Sequence, residues 1–143
     1  MALLEYKSDG KITLDCEGFL INKRYVVTAA RCINEQLKSV RLGETDLEND
    51  PDCIGVNEFI ECPPPIISIP IDQKIIYNMS SSQSHYHIAL LRLKSEVKFS
   101  DFVQPICLPI NRSYNAGKQL MVSGWERNKA NRKQQEIKGF CNG

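Results

Sequence analysis

Apolar and polar residues alternate along the first part of the chain. Residues 1–6 and 11–21 both show this alternation, and the turn sequence Ser8-Asp9-Gly10 separates them. Side chains of a strand point to opposite faces in turn, so the pattern predicts a β-hairpin. Asp-Gly is a favoured pair in two-residue hairpin loops, which supports this prediction.

Short apolar runs separated by turn residues continue through the chain. They predict strands at 25–27, 37–42, 66–77 and 87–93, and a single helical turn at 29–33. The run His87–Leu93 is so apolar that we expect that strand to be buried on both faces. Because no long helical period occurs, the pattern predicts an all-β barrel or sandwich.

Composition limits the classes of partner. A chain of 143 residues, 42% of them hydrophobic, can form a domain with a real core. A net charge of +1 gives no reason to expect nucleic acid or an anionic membrane surface as a partner. No apolar run approaches the roughly 20 residues that cross a bilayer.

Six cysteines without any C-x-x-C pair indicate disulfides in an oxidising compartment. Two Asn-x-Ser sites, at Asn78 and Asn111, would also fit N-glycosylation of a secreted protein. The first residues, MALLEYKSDG, lack the basic start and long apolar run of a signal peptide. We therefore expect this chain to be a piece of a longer secreted protein.

Four strings resemble the trypsin/chymotrypsin-like serine proteases: CEGFLINKRYVVTAARC at 16–32, HIALLRL at 87–93, FVQPICLP at 102–109 and VSGW at 122–125. The spaced pair Cys53 and Cys62, followed by prolines, resembles the clip-domain branch, the arthropod proteases of immune and developmental cascades. The resemblance implies the first β-barrel of a two-barrel fold at 1–98, a connector at 99–117 and the opening strands of the second barrel at 118–143.

The chain departs from the family at the positions that carry catalysis. Arg31 stands at the position of the triad histidine and His87 at that of the aspartate. No G-D-S-G-G string occurs, so the serine position is absent from the sequence. Glu17 and Phe19 replace a glycine and a small residue beside the expected active site, and Glu126 replaces another glycine.

Arginine cannot do the work of the missing base. Its guanidinium stays protonated at physiological pH and cannot accept the proton of a serine. We therefore predict a non-catalytic homologue with a binding or regulatory role in an extracellular proteolytic cascade such as innate immunity. Its expected partners are cascade proteases or its own missing segments. Two alternatives stay open: an endopeptidase half that needs a separate serine-bearing segment, and a truncated gene copy without function.

The family resemblance also implies how the cysteines pair. Cys16 would bond to Cys32, and Cys53 to Cys62. Cys107 pairs in the family with a cysteine upstream of the protease domain, and Cys141 has no family counterpart. Both are expected to be unpaired or to link two chains.

Metal sites are weakly indicated. His85 and His87 lie two residues apart, but zinc needs three or four ligands. The acidic loop around Glu44 and Asp46 has the oxygen ligands that calcium prefers, as in some family members, and a solvated acidic loop is the alternative. We predict no metal and no cofactor, with calcium at this loop left open.

Overall fold

The computed structural model describes residues 1–47, 53–56, 59–62, 64–77, 87–108 and 124–125. Eight strands lie in these ranges: β1 (Ala2–Ser8), β2 (Lys11–Leu20), β3 (Tyr25–Ala29), β4 (Leu37–Leu42), β5 (Ile54–Val56), β6 (Phe59–Glu61), β7 (Ile67–Ile76) and β8 (Ile88–Leu93). A single 3₁₀ turn, η1 (Ala30–Cys32), follows β3. The described part of the chain is therefore all-β, as predicted.

Six of the strands form a closed barrel in the order β1-β2-β3-β8-β7-β4. Every neighbouring pair is antiparallel, and β1 closes the barrel by pairing with both β2 and β4. Closure leaves these strands without a free edge, which protects them from pairing with other chains. Strands β5 and β6 form a separate hairpin outside the barrel.

The turn between β1 and β2 has the geometry that its sequence predicts. Asp9 has φ 51° and Gly10 has φ 78°. A two-residue loop with both residues at positive φ twists in the same sense as the strands, and Asp and Gly tolerate that conformation best. The predicted β-hairpin is confirmed.

The core fills the barrel with side chains from alternate strand positions. Leu4, Val26, Val40 and Leu91 are fully buried, one each from β1, β3, β4 and β8. The segment after β8 closes the core, since Val97 and Val103 are also buried. This segment is held by hydrogen bonds from the amide of Val97 to the carbonyl of Lys23 (2.8 Å) and from that of Ile106 to the carbonyl of Leu20 (2.8 Å).

One strand differs from its prediction in burial. Only alternate residues of β8 are buried, namely Ala89, Leu91 and Leu93, while Ile88 is 54% exposed. The expectation of burial on both faces is wrong for the described structure, because β8 is a barrel strand and only the side chains on its inner face enter the core. The β5–β6 hairpin is a second difference, because the sequence pattern placed no strands between Cys53 and Cys62.

Both disulfides implied by the family resemblance are confirmed. Cys16 bonds to Cys32, and Cys53 bonds to Cys62. Cys107 is also disulfide-bonded, so the expectation that it stays unpaired is wrong. Within the described residues no cysteine is free.

Several predictions fall outside the described residues. They concern Asn78, Asn111, Glu126, Cys141 and, apart from Gly124 and Trp125, all of 118–143. Connector residues 109–117 also lie outside, so the division into barrel, connector and second barrel stays a prediction.

Candidate functional site

The η1 turn carries Arg31 and is fixed from three sides. The amide of Ala30 donates a hydrogen bond to the carbonyl of His87 (2.8 Å), which joins the turn to the start of β8. The disulfide from Cys32 to Cys16 joins it to β2. The hydroxyl of Tyr6 on β1 donates to the carbonyl of Cys32 (2.7 Å). Three strands thus determine where the Arg31 backbone lies.

Tyr6 is buried beneath this turn, with 5% of its surface exposed. Burial, with a smaller contribution from the charge of Asp15, raises the pKa of Tyr6 to about 12. The phenol therefore stays protonated across the physiological range and keeps donating its hydrogen bond to η1.

His87 lies next to η1 because of the strand register. Ala29, the last residue of β3, is opposite Ile88, the first residue of β8. His87 precedes Ile88 directly, so its backbone meets Ala30 at the point where η1 begins. Arg31 and His87 are 56 positions apart in the printed numbering and still line one cleft.

The cleft has a volume of about 570 Å³ and lies where β2, β3, η1 and β8 meet. Its lining residues are Asp15, Cys16, Glu17, Phe19, Val27, Thr28, Ala29, Arg31, Cys32, His87 and Ile88. The apolar side chains of Phe19, Val27 and Ile88 come from three neighbouring strands, since Phe19 is opposite Val27 in the sheet register. The cleft therefore combines an apolar wall with charged side chains.

Several polar groups of the cleft already have partners. The Glu17 carboxylate accepts a hydrogen bond from the amide of Trp125 (2.6 Å), and the Asp15 carboxylate accepts one from the Thr13 hydroxyl (2.8 Å). The Thr28 hydroxyl donates to the carbonyl of Glu17 (2.7 Å). The side chains of Arg31 and His87 are exposed and make no hydrogen bond or ion pair within the described part of the chain.

The cleft brings together most of the residues that the sequence singled out around the active-site position. Arg31, His87, Glu17, Phe19 and the Cys16–Cys32 disulfide all line it. Among the described residues, neither the second disulfide nor Glu44 and Asp46 of the acidic loop belong to this lining.

Sequence reasoning missed two contributors. Asp15 is the extra residue of a bulge in β2, since Leu4 is opposite Cys16 while Glu5 is opposite Leu14. Tyr6 was expected only as a strand residue, and its bond to Cys32 joins positions 26 apart. Bulges commonly lie beside functional sites, but no local signal in this sequence marks this one.

No set of metal ligands forms within the described residues. No group of three His, Cys, Asp or Glu side chains is close enough there to hold an ion. In the acidic loop, the Glu44 carboxylate accepts a hydrogen bond from Nη1 of Arg41 at 3.3 Å. Residues 48–52 of that loop lie outside the described residues, so the question of calcium at Glu44 and Asp46 stays open, as it was in the sequence.

A match to a family model shows which family this chain belongs to. The model described as Trypsin matches residues 1–139. This chain belongs to the trypsin family. The six-stranded barrel with a disulfide beside the cleft is its first barrel, as the sequence resemblance implied.

Arthropod proteases are similar to this trypsin-family chain over most of its length. Melanization protease 1 of Drosophila melanogaster is 40% identical over 145 residues, which cover 92% of this chain and 36% of that protein. Phenoloxidase-activating factor 3 of Holotrichia diomphalia is 40% identical over 133 residues, covering 87% of this chain and 38% of that protein. The chain thus spans well under half of the length of either relative.

A solved structure agrees with both the fold and the branch. The crystal structure of the Drosophila Grass clip serine protease of the Toll pathway aligns with a TM-score of 0.70 and 34% sequence identity. The alignment covers 76% of this trypsin-family chain and 32% of that one. The predicted similarity to clip-domain proteases is confirmed. In the part of the chain that the structure describes, no helix is long and apolar enough to span a membrane.

Replacing Tyr6 by phenylalanine tests how η1 is held. The change leaves the ring but removes the bond to the Cys32 carbonyl, so we expect the free energy of unfolding to fall by about 1 kcal/mol. The wild type should also lose stability between pH 10 and 12, because the raised pKa keeps the folded phenol protonated while the unfolded one ionises. Urea unfolding at pH 7 and pH 11 measures both effects, and an equal loss with pH in Tyr6→Phe would contradict the second.

Proposed function

We propose that this chain is a non-catalytic member of the trypsin family that acts by binding, in an extracellular proteolytic cascade of the innate immune type. Arg31 in the cleft is the observation that carries the proposal. It follows Thr28-Ala29-Ala30 and precedes Cys32, and this string is where the family resemblance places the catalytic histidine.

The guanidinium of Arg31 cannot act as the base and acid of a catalytic triad. A triad histidine accepts the proton of the serine hydroxyl and later donates it to the leaving group. Guanidinium stays protonated at physiological pH and offers only hydrogen-bond donors, so it can perform neither step.

The residue at the position of the triad aspartate supports the same proposal. In the triad, the aspartate orients the histidine and stabilises the imidazolium that forms. His87 stands at the aspartate position and carries no fixed negative charge. An imidazole beside Arg31 can neither orient a base nor balance its positive charge. A guanidinium and an imidazole thus stand at the positions of the family's base and its orienting carboxylate.

The biological setting is proposed from the relatives. Their names refer to melanization and phenoloxidase activation, and the solved structure is described as belonging to the Toll pathway. The disulfides Cys16–Cys32 and Cys53–Cys62 agree with an oxidising, extracellular location. A chain of this kind would bind a protease or a substrate of the cascade without cutting it.

Peptidase activity is the direct test. The purified chain is incubated with fluorogenic peptides of the trypsin and chymotrypsin types, and separately with a serine-directed fluorophosphonate probe. We expect neither turnover nor labelling above a buffer blank, with bovine trypsin as the positive control. Turnover that co-purifies with the chain through an inhibitor column and gel filtration would contradict the proposal.

A mixing experiment tests the alternative of a separately supplied nucleophile. The carboxyl-terminal half of Melanization protease 1 is added to the wild-type chain and to the double variant Arg31→His with His87→Asp. Our proposal predicts no probe labelling with the wild type. Labelling with the wild-type chain would favour an enzyme half instead. Labelling with the double variant alone would assign the loss of activity to these two positions.

A further inference from the structure

We propose that the Cys53–Cys62 bridge is a redox-sensitive switch, which a dithiol reductant opens to release the β5–β6 hairpin while the barrel stays folded. The reductant is a small dithiol or an oxidoreductase that carries a Cys-x-x-Cys pair. Cys53 and Cys62 do not belong to the cleft lining, so the switch does not depend on whether the chain is catalytic.

The Cys53–Cys62 and Cys16–Cys32 bridges differ in how easily a reductant reaches them. Both Cys53 and Cys62 are exposed. Cys32 is 5% exposed and belongs to the core, and Cys16 is half-buried against that core. A thiolate must reach a sulfur atom to attack it, and exposed disulfides are the labile ones. Attack on the Cys53–Cys62 bridge therefore needs no prior opening of the fold, whereas attack on Cys32 does.

The barrel holds the two ends of the Cys16–Cys32 bridge together. Cys16 lies in β2, and Cys32 ends the η1 turn that follows β3. These two strands pair beside the bridge, where Gly18 is opposite Thr28. The strand pairing keeps the two cysteines close even after reduction, and a high effective concentration of the thiols favours re-forming the bond.

The two ends of the Cys53–Cys62 bridge have much weaker support. Cys53 directly precedes β5 and Cys62 directly follows β6, so the bond closes the open end of the hairpin. The two strands have three residues each, and among the described residues they pair only with each other. A lone two-stranded hairpin is marginally stable in water. Without its bridge the hairpin should open repeatedly, which separates the two thiols and disfavours the bond.

Closure of the barrel does not involve this hairpin. The strand order β1-β2-β3-β8-β7-β4 closes without β5 or β6. Local segments of a protein can open at a much smaller cost in free energy than unfolding of the whole domain. Reduction should therefore release residues 53–62 and leave the six barrel strands paired.

The chemical step is a thiol–disulfide exchange. One thiolate of the reductant attacks the sulfur of Cys53 or Cys62, the bond between the two Sγ atoms breaks, and a mixed disulfide forms. The second thiolate of the reductant then displaces the protein sulfur, and the reductant leaves as a disulfide. Two electrons and two protons pass to the chain and give two thiols. The reverse exchange with an oxidised dithiol restores the bridge.

Timed reduction tests the selectivity. The oxidised full chain is incubated with dithiothreitol under native conditions, samples are quenched with N-ethylmaleimide, and each cysteine is followed by peptide mapping. We expect Cys53 and Cys62 to be modified at least about tenfold faster than Cys16 and Cys32, because the latter bridge is reached only after a costly opening. Cys107 is also exposed and disulfide-bonded, so the cysteines are mapped one by one rather than counted as free thiols.

Reduction in concentrated guanidinium chloride is the control. The difference in rate should vanish there, because it arises from the fold and the denatured chain exposes both bridges. Equal rates under native conditions, or a difference that persists in the denaturant, would overturn the assignment of the switch to Cys53–Cys62.

The double variant Cys53→Ser with Cys62→Ser represents the reduced state of the hairpin. In peptides from 53–62, amide hydrogen exchange should be at least about tenfold faster than in the oxidised wild type, while peptides from β1, β3 and β8 stay protected. Chymotrypsin should also cut after Phe59 sooner in the variant. Unchanged protection of the hairpin would show that the bridge is no switch. Protection lost across the barrel would show that the bridge supports the whole fold instead.

Discussion

Replacing Glu5 by glutamine is expected to lower the free energy of unfolding by about 3 kcal/mol. Glu5 lies on β1 and is 3% exposed. Its carboxylate accepts hydrogen bonds from the Ser39 hydroxyl (2.5 Å), from Nε of Arg41 (2.8 Å) and from the Ser68 hydroxyl. Glutamine has nearly the same shape, but its amide group would face one of these donors and leave Arg41 with Glu44 as its remaining charged partner.

The Glu5 carboxylate should also make the free energy of unfolding depend on pH. Burial alone would raise the pKa of Glu5, but the hydrogen bonds from Ser39, Ser68 and Arg41, with the charge of Arg41, lower it below its usual 4.5. Above pH 4.5 the carboxylate is ionised in both states, and its stabilisation is fully present. As pH falls below 4.5 the unfolded carboxyl is protonated first, so stability is lost until the folded pKa is reached.

Urea unfolding between pH 7 and pH 3 measures both expectations. Glu5→Gln should show a smaller loss of stability over this range than the wild type. Asp72→Asn is the control, since Asp72 pairs with Arg92 on the barrel exterior, where both side chains are well exposed. It should change the free energy of unfolding at pH 7 by less than about 1 kcal/mol. If Glu5→Gln were as mild as this control, the buried network would not stabilise the barrel.

The Glu5 network also marks a limit of prediction from sequence. In β1 the side chains of Ala2, Leu4 and Tyr6 share one face, and all three lie in the core. Alternation places Leu3 and Glu5 on the opposite, solvent-facing side, yet both are buried, at 4% and 3% exposure. Ser39 and Ser68 reach Glu5 from β4 and β7, so the partners depend on barrel closure, which no local pattern encodes.

Local signals were sufficient where one short segment decides the structure. Leu37–Leu42 is a strand over the predicted residues, and Gly43 ends it with a φ of 82°. Asp9-Gly10 likewise determines its own turn. The β5–β6 hairpin was missed because each of its strands has only three residues, too few to show a period.

The residues of the candidate site also fall into those that a local sequence signal identified and those that it did not. Arg31 and His87 were found because each replaces one letter in a recognisable family string. The contact between Glu17 and Trp125 joins residues 108 positions apart, and it was not foreseen. The sequence therefore identified the residues at the triad positions, whereas the structure shows that the side chains of Arg31 and His87 have no hydrogen-bond partner among the described residues.

Removing the Cys16–Cys32 disulfide with a double alanine variant is the second large effect that we expect. The bridge spans 16 positions and joins η1 to β2 beside the cleft. In the chain-entropy account, opening a loop of this length costs about 3 kcal/mol. Cys32 is 5% exposed and packs in the core, so its truncation should add about 1 kcal/mol through lost contacts.

The Cys53–Cys62 double alanine variant is the matched comparison. That bridge closes a shorter loop, with a separation of 9, but the entropic loss depends only on the logarithm of loop length and should be nearly as large in the same account. Both of these cysteines are exposed, so no core contact is lost with them. We expect about 1 kcal/mol less destabilisation than in the first variant, measured by urea unfolding.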